Sequence, residues 1–216
     1  MMRKSILSGL IATALLATGF TSSVAAHQAG DIIVRAGAVM VSPNESSPII
    51  AEISEFSVSD NTQVGLNFGY MLTDNWAIEL LAATPFSHDI SLEGVGKIAE
   101  TKHLPPTLVA QYYFGNAQSK LRPYVGVGVN FTNFFDNEIT NPTALELNSL
   151  SMSNSWGLAA QAGLDYQVND KWLVNASVWY ADISTDVNFN AGDTPYPQVT
   201  VDIDPWVYMV SVGYKF

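Results

Sequence analysis

The chain has 216 residues, 48% of them hydrophobic and 13% charged, and carries nine Lys and Arg against twenty Asp and Glu, for a formal charge of −11. It contains no cysteine, so an exported chain of this size must reach stability without disulfides, which favours a large cooperative scaffold over a small stapled one. The acidic balance, with its few Lys and Arg scattered, excludes nucleic acid as a partner, because phosphate binding needs clustered cations.

The elements begin with basic Arg3 and Lys4, an apolar run from Ile6 to about Phe20, and the small-residue end Val24-Ala25-Ala26, the three-part layout of a secretory signal peptide. The run is about 15 residues, interrupted by Ser8 and Gly9, and falls short of the roughly 20 that a helix needs to span a bilayer. Removal of residues 1–26 is expected, leaving 27–216 as one domain and moving the formal charge from −11 to −13, since Arg3 and Lys4 go and no acidic residue does. Beyond this segment no apolar run is long enough for a membrane helix, and the apolar residues instead alternate.

Eight alternating segments follow in order. The first, about Gly30 to Val41, sets Ile32, Val34, Ala36, Ala38 and Met40 opposite Arg35 and Gly37; the second, Thr62 to Tyr70, sets Val64, Leu66, Phe68 and Tyr70 opposite Gln63, Gly65, Asn67 and Gly69. The third, Trp76 to Pro85, sets Trp76, Ile78, Leu80 and Ala82 against Glu79, Leu81 and Ala83; the fourth, about Pro106 to Phe114, sets Leu108, Ala110, Tyr112 and Phe114 against Gln111. In the fifth, Arg122 to Phe134, Val125, Val127, Val129 and Phe131 oppose Gly126, Gly128 and Asn130; in the sixth, Ser155 to Gln167, Trp156, Leu158, Leu164 and Tyr166 oppose Gln161 and Asp165. The seventh, Trp172 to Asp182, places Val174, Val178 and Tyr180 opposite Asn175, Ser177 and Trp179, and the last, about Val199 to Phe216, ends with Trp206, Tyr208, Val210, Val212, Tyr214 and Phe216 on one parity. A period of two predicts strands.

Segments of about 9 to 13 residues match a tilted strand crossing a bilayer rather than the usual soluble strand. Connections alternate between short (near 73–75, 115–121 and 168–171) and long (42–61, 86–105, 135–154 and 183–198), as in bacterial outer-membrane barrels. A soluble β-sandwich or lipocalin-like barrel also alternates, but its polar face meets bulk water and is rich in long charged side chains; here that face is dominated by Gly, Ala and small amides. Only a closed barrel crosses lipid with strands, because an open edge leaves backbone groups unsatisfied there. The pattern therefore predicts an all-β, eight-stranded antiparallel transmembrane barrel of a Gram-negative outer membrane, with short periplasmic turns, long extracellular loops and both termini periplasmic.

The stretches His27-Gln28-Ala29-Gly30, Glu79-Leu80-Leu81-Ala82-Ala83-Thr84-Pro85-Phe86, His103-Leu104-Pro105-Pro106-Thr107, Arg122-Pro123-Tyr124-Val125-Gly126, Ser177-Val178-Trp179-Tyr180 and Asp204-Pro205-Trp206 are spread over the mature chain, and on them the sequence resembles the outer membrane protein W family. The resemblance implies an eight-stranded barrel with a largely hydrophobic interior, associated with passage of small apolar molecules and with envelope stress; it also implies surface recognition by toxins or phage. The aromatic alternation ending in Tyr214 and Phe216 resembles the signal read by the barrel-assembly machinery, and equally suits a last strand that faces lipid.

Eight strands enclose an interior normally filled by side chains, so any passage is narrow. Small inward residues (Gly37, Gly65, Gly69, Ala83, Gly126, Gly128, Gly157, Ala159, Gly163) are expected to leave space, against which bulky Leu81 and Trp179 stand out. These two form an apolar constriction, with Val109, Val207 and Met209 lining nearby, or they merely fill the core. Arg35, Glu79, Asp165 and Lys215 lie on inward parities; buried charges need partners, and Arg35 with Glu79 reads as a structural pair before a transport site. Pro105 and Pro106 lack N–H donors, which weakens the ladder at the start of the fourth strand and marks a sideways exit into lipid. Acidic Glu52, Glu55, Asp136, Glu138, Asp186 and Asp193 form a solvated loop surface or hold divalent cations near lipopolysaccharide. His88 and His103, 15 residues apart, have no metal or triad spacing, and neither an enzyme nor a cofactor is expected.

Overall fold

The computed structural model describes residues 27–47, 56–142, 147–191, 194–195 and 197–216; the expected leader at 1–26 and the loop acids Glu52, Glu55 and Asp193 lie outside them. Among the described residues, eight strands form the barrel: β1 (Ile32–Ser42), β2 (Asn61–Met71), β3 (Trp76–Ala83), β4 (Thr107–Tyr113), β5 (Leu121–Ile139), β6 (Ser155–Gln167), β7 (Trp172–Ala181) and β8 (Trp206–Lys215). Each pairs antiparallel with its neighbour in sequence, and β1 pairs with β8 from Ile33↔Lys215 to Ser42↔Trp206, closing the ring.

Closure gives each of the eight strands a partner on both sides, and the period-two pattern then divides each strand between two solvents. The apolar parity faces outward: Val127, Val210, Trp156 and Leu158 are each about 70% exposed, an arrangement stable only against lipid. Aromatic pairs rim this belt, Trp76 with Tyr112 and Trp172 with Tyr214 at the end with the short turns, and Phe131 with Trp156 and Tyr180 with Trp206 at the other. Amphipathic rings favour the headgroup level. Tyr214 packs edge-on against Phe216 at the lower rim, where the Phe216 amide donates to the Ile32 carbonyl.

All four regions read as long loops carry further strands above the membrane; in the first of them, Phe56–Val58 pairs antiparallel with Ile90–Leu92. Phe86–Leu92 and Gly96–Leu104 form a hairpin, turned by Gly94 and Gly96 at positive φ (81° and 88°), whose second strand pairs with the upper part of β5. Leu147–Met152, Ser184–Ala191 and Val199–Asp202 form a second sheet. The last segment is therefore not one continuous strand: Ile203-Asp204-Pro205 interrupts it, with Asp204 at φ 37°, so that Val199–Asp202 joins the upper sheet and Trp206–Lys215 the barrel. Proline also sets the start of β4, which begins at Thr107 rather than Pro106 because Pro106 has no N–H to pair.

Most of the inward glycines do not leave space, contrary to expectation, although at Gly69 a Cβ would meet nothing closer than 3.6 Å. A Cβ on Gly37 would lie 2.0 Å from the Val210 carbonyl oxygen, on Gly128 1.9 Å from that of Leu108, and on Gly163 2.3 Å from the Tyr124 ring. Neighbouring backbone and rings occupy the volume that a side chain would take. Gly126 is similarly enclosed by Gln161, Gln111 and the Ala110 carbonyl.

Candidate functional site

Successive inward positions along the strands build the lumen in layers. Nearest the short-turn end, β1, β3 and β7 contribute Ile33, Ala77 and Leu173, which pack with Met71, Tyr113 and Tyr124. One inward position higher, the same strands contribute Arg35, Glu79 and Asn175, and the lumen becomes a polar floor. Fully buried Arg35 donates to Glu79, to Asp165 Oδ2 at 2.5 Å and to the Tyr113 hydroxyl at 2.8 Å. Glu79 Oε1 also accepts from Asn67 (3.0 Å), Gln111 (2.8 Å) and Gln161 (3.0 Å). Asp165 accepts from Asn175 at 2.7 Å and from His27 Nε2 at 2.8 Å, and Arg122 donates to the His27 carbonyl at 3.2 Å.

The structure thus brings Arg35 and Glu79 together and adds Asp165 as a second carboxylate on the same guanidinium. Lys215, placed on an inward parity by the sequence, sits instead at the lower rim, half-buried and 3.5 Å from Asp31. With Glu79 accepting four side-chain hydrogen bonds and Asp165 three, the floor is a closely bonded polar layer across the lumen.

Above it the lumen turns apolar. Leu81 and Trp179 lie in one cluster with Val39, Val41, Phe86, Val109, Ala159, Val207 and Met209. Leu81, Trp179 and Val207, with Ala83, Pro105 and Thr107, line an inner cavity of about 480 Å³, counting its open mouth. Val109 and Met209 belong to the same buried cluster but line neither this cavity nor the outer one, and neither do Gly126 and Gly128. An outer cavity of about 880 Å³ lies between the hairpin and the upper sheet, lined by Ile90, Ile98, Phe134, Val187, Phe189 and Val201 among others. The two share Val41, His103, Ile183 and Pro205 as lining residues, so they form one apolar column ending on the polar floor.

The wall of this column has a break. The β3–β4 ladder ends at Leu81↔Thr107, and the pairing above it resumes at Phe86↔His103. In between lie Pro85, Pro105 and Pro106, none with an N–H. Two of the residues bordering the break, Ala83 and Pro105, line the inner cavity. On its far side the β4–β5 ladder is continuous, since the Phe131 amide donates to Pro106 at 3.0 Å and Leu104 pairs with Asn133.

The feature missed in the sequence is the histidine pair. The hairpin folds His88 onto His103, Nε2 to Nε2 at 2.9 Å, and both line the outer cavity. The signal available was the turn sequence Glu93-Gly94-Val95-Gly96 midway between them. Ser87, adjacent to His88, points the other way and donates to Glu100 at 2.6 Å. Burial pushes the His103 imidazole down to about 3, with His88 acting in the same direction; burial also lowers His88, against the opposing Ser59 carbonyl, Asp60 and Asp89.

A locally opened hairpin takes up a proton on each imidazole near pH 6.5, whereas the closed one holds His103 neutral to about pH 3. The contribution of neutral His103 to closure is therefore full above pH 6.5 and falls by about tenfold per pH unit from there down to about pH 3. Hydrogen exchange of amides 86–104, corrected for intrinsic rate, is expected to show lower protection at pH 4 than at pH 7; equal protection would count against the linkage.

Among the described residues, no three His, Cys, Asp or Glu side chains come together as a metal site. Asp136 pairs with Lys102 at 3.2 Å, and Asp186 accepts from Thr200 at 2.7 Å.

Eight antiparallel strands in a closed ring and an apolar and aromatic exterior, with His27 and Phe216 both at the short-turn end, define an outer-membrane β-barrel. The OmpW family model matches residues 28–216, and the chain belongs to that family. Outer membrane protein W of Vibrio cholerae serotype O1 is 52% identical over 210 residues, covering 94% of this chain and 96% of its own. That of Escherichia coli strain K12 is 48% identical over 217 residues, covering 100% of each. The crystal structure of OprG from Pseudomonas aeruginosa superposes with a TM-score of 0.83 at 44% identity, covering 88% of this chain and 98% of that one. The outer membrane is thus the chain's location.

Proposed function

We propose that this barrel is a non-catalytic passage for small hydrophobic molecules, which enter from the extracellular side, occupy the apolar column and leave sideways into the lipid. The observation that carries this reading is the column itself: two linked apolar cavities resting on a closed polar floor and reaching the wall where the ladder is interrupted between Leu81↔Thr107 and Phe86↔His103. An apolar solute gains by leaving water for this lining, whereas an ion would meet first an apolar cavity and then paired charges. Leu81 and Trp179 stand in this reading as the constriction at the base of the column, and Arg35 with Glu79 as the plug. Residues 1–26 are proposed as the removed leader, and Tyr214 and Phe216 as the segment offered to the assembly machinery.

The polar floor favours one rival, a surface receptor for toxin or phage whose interior is closed. The two separate at Ala83, which lines the inner cavity beside the break. In cells lacking their own copy, Ala83→Phe is expected to reduce uptake of an apolar fluorescent probe to the level of cells without the protein. Uptake equal to wild type would remove the lateral exit, and wild type no better than empty cells would favour the receptor.

A further inference from the structure

Of the residues lining the outer cavity, the side chains with polar atoms are His88, Thr101 and His103. Thr101 spends its hydroxyl hydrogen on Asn137 Oδ1, 2.6 Å away. His88 Nδ1 lies 2.5 Å from the Ser59 carbonyl oxygen; a carbonyl only accepts, so Nδ1 carries the proton and Nε2 of neutral His88 is left as an acceptor. The 2.9 Å contact between the two Nε2 atoms then requires His103 Nε2 to donate. It follows that His103 Nδ1 bears a lone pair, and this atom is buried with no hydrogen-bond partner among the described residues.

The ring cannot turn away freely. His103 is stacked on Phe86 at 5.4 Å and on Phe134 at 5.7 Å, and it lines both the outer and the inner cavity. An sp² nitrogen acceptor is therefore fixed at the junction of two apolar chambers, where a passing solute is the group available to satisfy it.

We infer that the cavity selects neutral, largely apolar molecules that carry one hydrogen-bond donor, an O–H or an N–H, over pure hydrocarbons and ethers of the same shape, with His103 Nδ1 as the acceptor. A charged amine is excluded because the lining offers it no counter-charge. This inference rests on the reading of the column as a solute site and adds the class of solute.

The test uses the full mature chain in lipid nanodiscs, with empty discs as the blank, and compares 2-naphthol with 2-methoxynaphthalene, which keeps the ring system and loses the donor. Wild type is expected to bind the naphthol roughly tenfold more tightly, the size of one buried hydrogen bond gained. His103→Phe, which keeps an aromatic ring between Phe86 and Phe134, is expected to bring the ratio of the two affinities to about one. Equal binding of both probes by wild type overturns the donor preference and leaves the solute site standing, a result independent of how any variant folds. Failure of both probes to bind overturns the site as well, and an unchanged ratio in His103→Phe overturns the assignment to His103.

Discussion

Replacing Arg35 with methionine is expected to destabilise the barrel by about 3–5 kcal/mol, measured by urea unfolding in lipid, because it strands two carboxylates in the lumen. Arg35, Glu79 and Asp165 are each 1% exposed or less, and the one guanidinium bonds both acids and the Tyr113 hydroxyl. Without it, Glu79 retains three amide donors and Asp165 retains Asn175 and His27, but Arg35 is lost as the cation that both acids share. The triple variant Arg35→Met, Glu79→Gln, Asp165→Asn removes charge from both sides and is expected to recover most of the loss, since a buried ion pair gains little over neutral groups of similar volume. A single variant as stable as wild type would mean that the floor is not held by its charges. The apolar column should be unchanged in the triple variant, because Leu81, Trp179 and their neighbours do not bond to the network.

The barrel was legible because its two solvents are so unlike. Lipid on one side demands Val64, Leu66, Phe68 and Tyr70 in strict alternation, and the narrow lumen on the other rejects long charged chains, so the period and the strand count were written plainly. The upper strands were not. Phe86–Leu92 and Gly96–Leu104 also alternate in burial, but their outer face meets water and carries Ser87, Asp89, Lys97 and Glu100, so that they resemble polar loops. Their inward residues are buried against the second sheet, a contact that no local pattern announces. The glycines misled for a related reason: Gly128 is small because the Leu108 carbonyl approaches it, and Gly163 because Tyr124 does. Sequence shows that a side chain is missing, not what has taken its place.

The candidate site divided in the same way. Parity alone put Arg35 and Glu79 inside and charge suggested the pair, since opposite charges on one enclosed face have few alternatives. Asp165 lay on an inward parity too, yet it belongs to a strand across the barrel, and only closure brings β6 to face β1. Val109 and Met209 share the parity of Leu81 and Trp179, and parity does not distinguish a buried residue that borders a cavity from one that does not. The histidine pair needed a hairpin register, Phe86 opposite His103, that spacing alone does not supply.

The division of the lumen sets the second large effect. In the double variant Leu81→Ala, Trp179→Ala, the base of the apolar column loses its two bulkiest groups, and uptake of an apolar probe is expected to rise severalfold over wild type as the inner cavity widens toward the break beside Ala83. Conductance in planar bilayers is expected to stay at baseline. An ion crossing along the axis must still pass Arg35, Glu79 and Asp165 with the amides of Asn67, Gln111, Gln161 and Asn175 bonded to them, none of which the double variant touches. An axial channel controlled by Leu81 and Trp179 makes the opposite forecast, that ions and apolar solutes gain passage together once dewetting at the constriction is relieved. Increased conductance would therefore refute the sideways route, and unchanged uptake with unchanged conductance would reduce the two residues to core filling, whose loss would then register only as the roughly 3–5 kcal/mol of stability that each large-to-small core substitution costs.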